Sequence, residues 1–168
     1  ELCLAYRRQF NCRFIVGIPA DAFGPGDDFS SGDSHVLPGL MRRIHEAKLA
    51  GHSEVGVWGS GRPERDFLYA DDLAEACLLL MDRHEDGRPM NLGSGRPIAI
   101  KDLAVLISEI VGYSGRLEFD SRRPDGMALK LLDSAPLRAL GWRAQTPLRQ
   151  GLEETYRWFL ASSGVHAQ

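Results

Sequence analysis

The chain has 168 residues, which is enough for one compact domain with its own hydrophobic core. Hydrophobic residues make up 43% and charged residues 26%, and a net charge of -3 gives no basic footprint for nucleic acid or an acidic membrane surface. Three cysteines without CxxC spacing argue against a disulfide framework or a zinc site and favour a reduced, cytoplasmic protein, and no apolar run is long enough for a membrane span.

The first part of the chain predicts a helix, a buried strand and a long loop. Apolar residues recur about once per helical turn over residues 2–10, so a helix opens the chain. The continuous apolar run at 13–19 is typical of a strand that is covered on both faces. Glycine, aspartate and serine then dominate residues 21–33, which predicts a long loop at the end of that strand, where α/β folds bind ligands.

A second helix is predicted after this loop. Asp33 or Ser34 caps its beginning, and Gly51 follows its last residue, near Ala50. Its apolar residues form one stripe at helical spacing: Leu37, Leu40, Met41 and Ile44.

The rest of the chain alternates between strands and helices. Strands are predicted at 54–58, 66–69, 90–92 and 116–120. Helices are predicted at 73–83, 100–111, 136–140 and 148–160. Asp71 and Asp72 stand just before an amphipathic helix, so we interpret them as its cap and not as a catalytic pair. Strands that alternate with helices indicate an α/β fold.

Several short segments resemble, in order and spacing, the C-terminal half of the extended short-chain dehydrogenase/reductase family. They are Pro-Ala-Asp-Ala-Phe-Gly-Pro at 19–25, Trp-Gly-Ser-Gly at 58–61, Arg-Asp-Phe-Leu-Tyr-Ala-Asp-Asp at 65–72 and Asn-Leu-Gly-Ser-Gly at 91–95. Ser-His-Val-Leu-Pro at 34–38 and Arg-Pro-Asp-Gly at 123–126 are similar to the GDP-fucose synthases within that family. The resemblance implies the last strands of a Rossmann sheet together with a small substrate-binding subdomain.

On this resemblance, residues 1–168 are expected to be the C-terminal substrate-binding portion of a longer protein. The sequence contains neither a dinucleotide glycine turn nor a Tyr-x-x-x-Lys pair. We therefore expect a missing N-terminal portion to bind most of an NADP cofactor, and the piece alone to be inactive. The full-length protein is expected to be a homodimer. Strands near 14–18 and 90–92 would lack neighbours, which predicts marginal stability or self-association.

The resemblance also implies an activity and a catalytic residue. GDP-fucose synthases epimerise C3 and C5 of a GDP-4-keto-6-deoxymannose and reduce its C4 ketone with NADPH. His35 matches the histidine that moves protons beside the carbonyl, a task that suits a side chain titrating near neutral pH. His35 and residues 19–22, which are Pro19, Ala20, Asp21 and Ala22, match the residues near the nicotinamide end of the cofactor.

The GDP-sugar substrate is assigned to five residues by the same resemblance. They are Arg43, Trp58, Arg65, Asp125 and Lys130. The residues alone leave other interpretations open, because an arginine is most often a solvated surface charge and a tryptophan often packs in a core. An aspartate before glycine can simply initiate a turn. Helical spacing does not choose between Arg42 and Arg43.

Two departures from the family leave the exact sugar open. Asp21 stands where the family usually has asparagine, and Ala20 where it has threonine. A carboxylate accepts hydrogen bonds but cannot donate them. A UDP- or dTDP-sugar 4-epimerase or dehydratase is one alternative, against which the Ser-His-Val-Leu-Pro segment argues, and a sugar-nucleotide-binding module without catalysis is another.

Overall fold

The computed structural model describes residues 1–30, 34–85 and 87–162 and has the α/β architecture that the sequence predicts. The helices are α1 (Leu2–Phe10), α2 (Val36–Leu49), α3 (Ala70–Arg83), α4 (Ile100–Val111), α5 (Ala135–Ala139) and α6 (Leu148–Ser162). The strands are β1 (Gly17–Pro19), β2 (Asp21–Phe23), β3 (Glu54–Trp58), β4 (Glu64–Tyr69), β5 (Met90–Leu92), β6 (Pro97–Ala99), β7 (Arg116–Asp120) and β8 (Leu129–Lys130).

Strand β4 organises the largest sheet. It pairs in parallel with β2 and with β8, and antiparallel with β6. Two further parallel pairs lie outside this sheet, β1 with β5 and β3 with β7. Parallel pairing requires a crossover between the strands, and the helices of the chain provide it.

The same strand separates two hydrophobic cores. Phe67 and Tyr69 belong to the first core, which also contains side chains of α2, β3, α4 and α6. Leu68 belongs to the second core, with side chains of α3, β5 and α5. Successive side chains of a strand point to opposite faces, so these consecutive apolar residues of β4 serve both cores.

Helix α2 has the predicted apolar face but a different first residue. Its four stripe residues are all buried: Leu37, Leu40, Met41 and Ile44. The predicted Ser34 cap was wrong, because His35 is the N-cap residue and no side chain caps the helix there. Asp33, the other predicted cap, lies outside the described residues. Gly51 follows the helix in a left-handed conformation, as predicted.

The predicted cap of α3 was also wrong. Tyr69 is the N-cap residue, and Asp71 and Asp72 lie in the first turn without a capping hydrogen bond. The buried carboxylate of Asp72 instead accepts hydrogen bonds from the backbone N–H groups of Gln145 (3.3 Å) and Thr146 (3.0 Å). This carboxylate therefore joins α3 to the segment before α6.

The apolar run at 13–19 was predicted to be a strand that lacks neighbours and exposes apolar surface; most of its side chains are exposed, but the strand is shorter than predicted and pairs with β5. Only Gly17–Pro19 form β1, and Phe14 and Ile18 remain 46% and 42% exposed. Strand β1 pairs with β5 along one edge, and no strand of the described residues pairs with its other edge. Helix α1 adds further exposed apolar side chains: Leu2, Tyr6 and Phe10. Within residues 1–30, 34–85 and 87–162, no helix is both long and apolar enough to cross a bilayer.

Three short strands were missed by the sequence patterns. The predicted loop at 21–33 begins with β2, which pairs with residues 67–69 of β4. Strands β6 and β8 have three and two residues and pair with the first residues of β4. Segments this short carry no recognisable periodicity, since a pattern needs four or more residues to emerge.

A buried histidine predicts how the stability of the fold depends on pH. The Nδ1 atom of His45 lies 2.9 Å from the Tyr156 hydroxyl, and its ring packs edge-on against Phe159. Burial, and next the charge of Lys48, lower the pKa of His45. The unfolded chain therefore takes up a proton first as the pH falls, so the folded state should lose stability from about pH 7 to about pH 5.

The double variant His45→Leu/Tyr156→Phe removes this titration together with its partner. Its urea midpoint should change less between about pH 7 and pH 5 than that of the wild-type chain. The two proteins would show parallel pH profiles if His45 carried no proton-linked stability.

Candidate functional site

A pocket of about 430 Å³ brings together three of the predicted site residues. His35 comes from the beginning of α2, Arg43 from its middle and Trp58 from the end of β3. Apolar parts of the wall come from Val57 and Ile100. Since the carboxyl end of a strand meets the amino end of a helix here, the geometry is typical of ligand sites in α/β proteins.

His35 lies on the wall of this pocket with an exposed side chain. Its carbonyl accepts the N–H of Gly39 at 3.0 Å, which closes the first turn of α2. The unpaired N–H groups at the beginning of a helix of 14 residues give this end of the pocket a partial positive charge. The imidazole is thus accessible beside a site that favours anions.

Arg43 is a half-buried cation of the pocket. It donates hydrogen bonds to the carbonyl oxygens of Gly39 (3.2 Å) and Gly56 (3.3 Å), and its guanidinium carbon lies 5.9 Å from the centre of the Trp58 ring. Burial, and then the charge of Arg42, lower the pKa of Arg43. A bound anion would offset both penalties, because it neutralises a charge that burial has partly stripped of water.

Arg42 lines the same pocket, so the structure offers two arginines to a ligand there and does not choose between them. Arg42 pairs with Glu46 on the next turn at 2.9 Å. Its Nε atom is buried, and no residue of the described ranges accepts a hydrogen bond from it. Arg42 is therefore a second donor at the site, although its charge is already partly balanced.

Trp58 is 65% exposed, so it does not pack in a core. The guanidinium carbon of Arg123 lies 4.3 Å from the centre of its ring, which is closer than that of Arg43. Sequence reasoning did not select Arg123 as a site residue. No local spacing could have found it, since the contact joins β3 to a loop far along the chain.

Asp125 holds the turn behind Trp58. Its carboxylate accepts hydrogen bonds from the Ser60 N–H (2.7 Å) and hydroxyl (2.6 Å), and the hydroxyl and then the backbone bond lower the pKa of Asp125. Gly59 has φ +80, and a Cβ atom there would lie 2.5 Å from the Asp125 carboxylate. Glycine is thus required at this turn. Each carboxylate oxygen keeps a further lone pair, so binding of a sugar hydroxyl stays a prediction.

Arg65 and Lys130 do not line the pocket; the structure gives both of them partners elsewhere. Arg65 donates to the carbonyl oxygens of Glu64 and Met127, both at 2.7 Å. Lys130 forms an ion pair with Asp21. Strands β2 and β8 both pair with β4, Asp21 opposite Phe67 and Lys130 opposite Arg65, and this register brings the two charges together.

The predicted cofactor residues 19–22 run from the end of β1 into β2. Ala20 is buried, and its N–H donates to the Leu92 carbonyl at 2.8 Å, whereas Pro19 and Ala22 are exposed. Such a segment can border one end of a cofactor. It does not fit a whole dinucleotide, because the chain offers no glycine turn for the pyrophosphate.

Comparison with known proteins gives consistent matches. Residues 1–93 match the family described as the NAD dependent epimerase/dehydratase family. The chain is 49% identical over 160 residues to GDP-L-fucose synthase 1 of Arabidopsis thaliana, covering 95% of this chain and 50% of that protein. It is 43% identical over 169 residues to GDP-L-fucose synthase of Escherichia coli (strain K12), covering 95% and 53%.

A solved structure matches the fold closely. The NADP-bound GDP-L-fucose synthetase of Naegleria fowleri superposes with a TM-score of 0.91 at 32% identity, over 99% of this chain and 54% of that one. The chain spans about half the length of the curated relatives it matches.

Proposed function

The chain belongs to the NAD dependent epimerase/dehydratase family, and from this premise we propose that it forms the nucleotide-sugar-binding part of a GDP-L-fucose synthase. The observation that carries the proposal is the pocket in which His35, Arg43 and Trp58 meet at the beginning of α2. It combines an accessible acid–base group, a partly buried cation and an exposed aromatic ring. A GDP-4-keto-6-deoxymannose presents matching chemistry: acidic carbons beside a ketone, a diphosphate and flat apolar faces.

His35 would take part in the proton transfers of epimerisation. Inversion at C3 and at C5 requires a base that removes a proton beside the C4 carbonyl and an acid that returns one to the opposite face. An exposed imidazole on the pocket wall reaches one face of the sugar, so His35 would either remove or return the proton on that face, and a second acid–base group would act on the opposite face.

Arg43 and Trp58 would hold the substrate for this step. Arg43 supplies charge to the diphosphate, and Trp58 offers a flat surface to the sugar or the base. Lys130 would have to leave Asp21 before its ammonium group could reach the ligand. Arg65, which already donates to two carbonyl oxygens, supports the pocket by holding the loop at Met127.

Reduction of the C4 ketone would depend on a second half of the protein. NADPH would supply the hydride, and residues 19–22 of this chain would border only its nicotinamide end. The exposed apolar side chains of α1 and of residues 14–18 would pack against a dinucleotide-binding half. By the same family resemblance, we propose a cytoplasmic homodimer for the full-length protein, and the three free cysteines agree with a reducing compartment.

Calorimetric titration with GDP-mannose and UDP-glucose tests the proposed function. The chain should bind the GDP-sugar more tightly than the UDP-sugar. Arg43→Ala should weaken GDP-mannose binding about 10-fold or more, since it removes a charge-assisted contact to phosphate. Arg149→Ala is the matched control, because Arg149 pairs with Glu109 and neither residue lines the pocket, so affinity should stay unchanged.

The outcomes separate the competing functions. A preference for UDP-glucose would favour a 4-epimerase or dehydratase of the same family. If the Arg43→Ala and Arg149→Ala variants bound GDP-mannose with equal affinity, the pocket at α2 would not be the substrate site.

A further inference from the structure

Trp58 carries two guanidinium groups, and one of them has no role in the function proposed above. The Arg43 carbon lies 5.9 Å from the ring centre, and the Arg123 carbon lies 4.3 Å from it. A cation within about 6 Å of an indole face is attracted to the ring, so both positions are favourable. Two guanidinium groups therefore lie within about 6 Å of one exposed ring, and the residue that carries this ring lines the pocket.

Apart from Trp58, the Arg123 side chain has, among the described residues, only a through-space attraction to the Asp120 carboxylate. Within residues 1–30, 34–85 and 87–162, its guanidinium makes no hydrogen bond and no ion pair. The neighbouring Arg122 differs, because it donates to both carboxylate oxygens of Asp120 at 2.8 and 3.2 Å. The five N–H donors of Arg123 thus remain available to a ligand, whereas two donors of Arg122 already bind Asp120.

The backbone holds Arg123 in this position. Its N–H donates to the Asp120 carbonyl at 3.1 Å, at the end of β7. Two residues further on, Asp125 binds the turn that follows Trp58, and Arg65 binds the Met127 carbonyl at 2.7 Å. The loop between β7 and β8 is therefore fastened on both sides of Arg123, and stacking on Trp58 is part of a defined structure.

The other predicted cations are less available for a ligand. Lys130 is paired with Asp21, and Arg65 donates to two carbonyl oxygens. Arg42, which lines the pocket, pairs with Glu46 at 2.9 Å.

A diphosphate carries charge on both phosphates and is best held by two cations. We infer that Arg123 is the second diphosphate-binding residue of the site, and that Trp58 is the platform on which its guanidinium rests. This inference rests on the proposed function, because it requires a nucleoside diphosphate in the pocket.

Calorimetric titration of the chain with GDP and, separately, with guanosine tests this role. Arg123→Ala raises the Kd for GDP about 10- to 100-fold, since a charge-assisted contact to phosphate is lost. The Kd for guanosine stays the same, because guanosine has no phosphate for Arg123 to bind. A merely structural role in the loop would weaken both ligands alike.

Arg122→Ala is the matched control. It removes the same charge one residue away, from a side chain that is paired with Asp120, and leaves the Kd for GDP within about 2-fold. Arg123→Lys keeps the positive charge but not the planar guanidinium, so it regains part of the lost GDP affinity. This variant replaces Arg123→Ala if the alanine variant does not melt cooperatively.

Each alternative result counts against the inference in a different way. Equal GDP affinities of Arg123→Ala and Arg122→Ala, or an equal loss of guanosine affinity, overturn the role of Arg123 while the proposed function stands. A wild-type chain that binds neither GDP nor GDP-mannose overturns both.

Discussion

Replacing His35 by glutamine is expected to lower the rate of epimerisation about 10²- to 10⁴-fold, which is the usual contribution of a general acid–base group. Glutamine has a similar length and can hydrogen-bond, but it cannot exchange a proton. The assay needs a dinucleotide-binding half, so we suggest a chimera in which this chain replaces the matching half of the Escherichia coli relative. Uptake of deuterium from the solvent at C3 and C5 of the substrate measures the step directly.

His52→Gln is the control for this prediction. His52 is an exposed histidine just beyond the opposite end of α2, and its replacement should leave the exchange rate unchanged. GDP affinity should stay the same in both variants, since neither change removes a cation from the pocket. A chimera whose His35→Gln form exchanges deuterium as fast as wild type would assign the proton transfers to another group.

Leu103→Ala is expected to lower the free energy of unfolding by about 2–5 kcal/mol, the range found for leucine deletions in well-packed cores. Leu103 is 0% exposed and lies on α4 in the first core, between α2 and α6. The loss combines the apolar transfer energy of the side chain with the cavity left behind. Urea unfolding followed by circular dichroism gives the change from the midpoint and slope.

Val105→Ala provides the comparison on the same helix. Val105 is 49% exposed, so its truncation should change stability by no more than about 0.5 kcal/mol. Similar losses for the two variants would contradict the burial of one face of α4. The free energy of unfolding of small domains is only about 5–15 kcal/mol, so Leu103→Ala alone would remove a large share of it.

Elements with strong local signals were predicted well from the sequence. The bounds predicted for β3, α4 and β7 agree with the structure, and α2 has the predicted buried stripe. Glycines 51 and 112 end their helices because a left-handed residue there costs glycine little. The exposure of β1 agrees with the prediction for a strand without neighbours, whereas its pairing with β5 was not predicted, because pairing depends on contacts distant in sequence.

The composition of the candidate pocket was predicted only in part, and the roles of its residues stay predictions. The resemblance selected His35, Arg43 and Trp58, and the fold brings these three to one pocket. Spacing could not reveal the Arg123 contact with Trp58 or the ion pair of Asp21 with Lys130, because both depend on strand register and on a loop distant in sequence. Asp21 stands where the family usually has asparagine. Its carboxylate forms an ion pair with Lys130, and the neutral amide of an asparagine would bind that ammonium group less strongly.

The position of β4 between two cores has a consequence for cooperativity. Phe67, Leu68 and Tyr69 are consecutive and pack into different cores. Disruption of either core therefore exposes one face of this strand. We therefore expect the two cores to unfold as one unit and not as separate foldons. A ligand bound between α2 and β3 then contributes its binding free energy to the whole unit, including α3 and β5, which it does not touch.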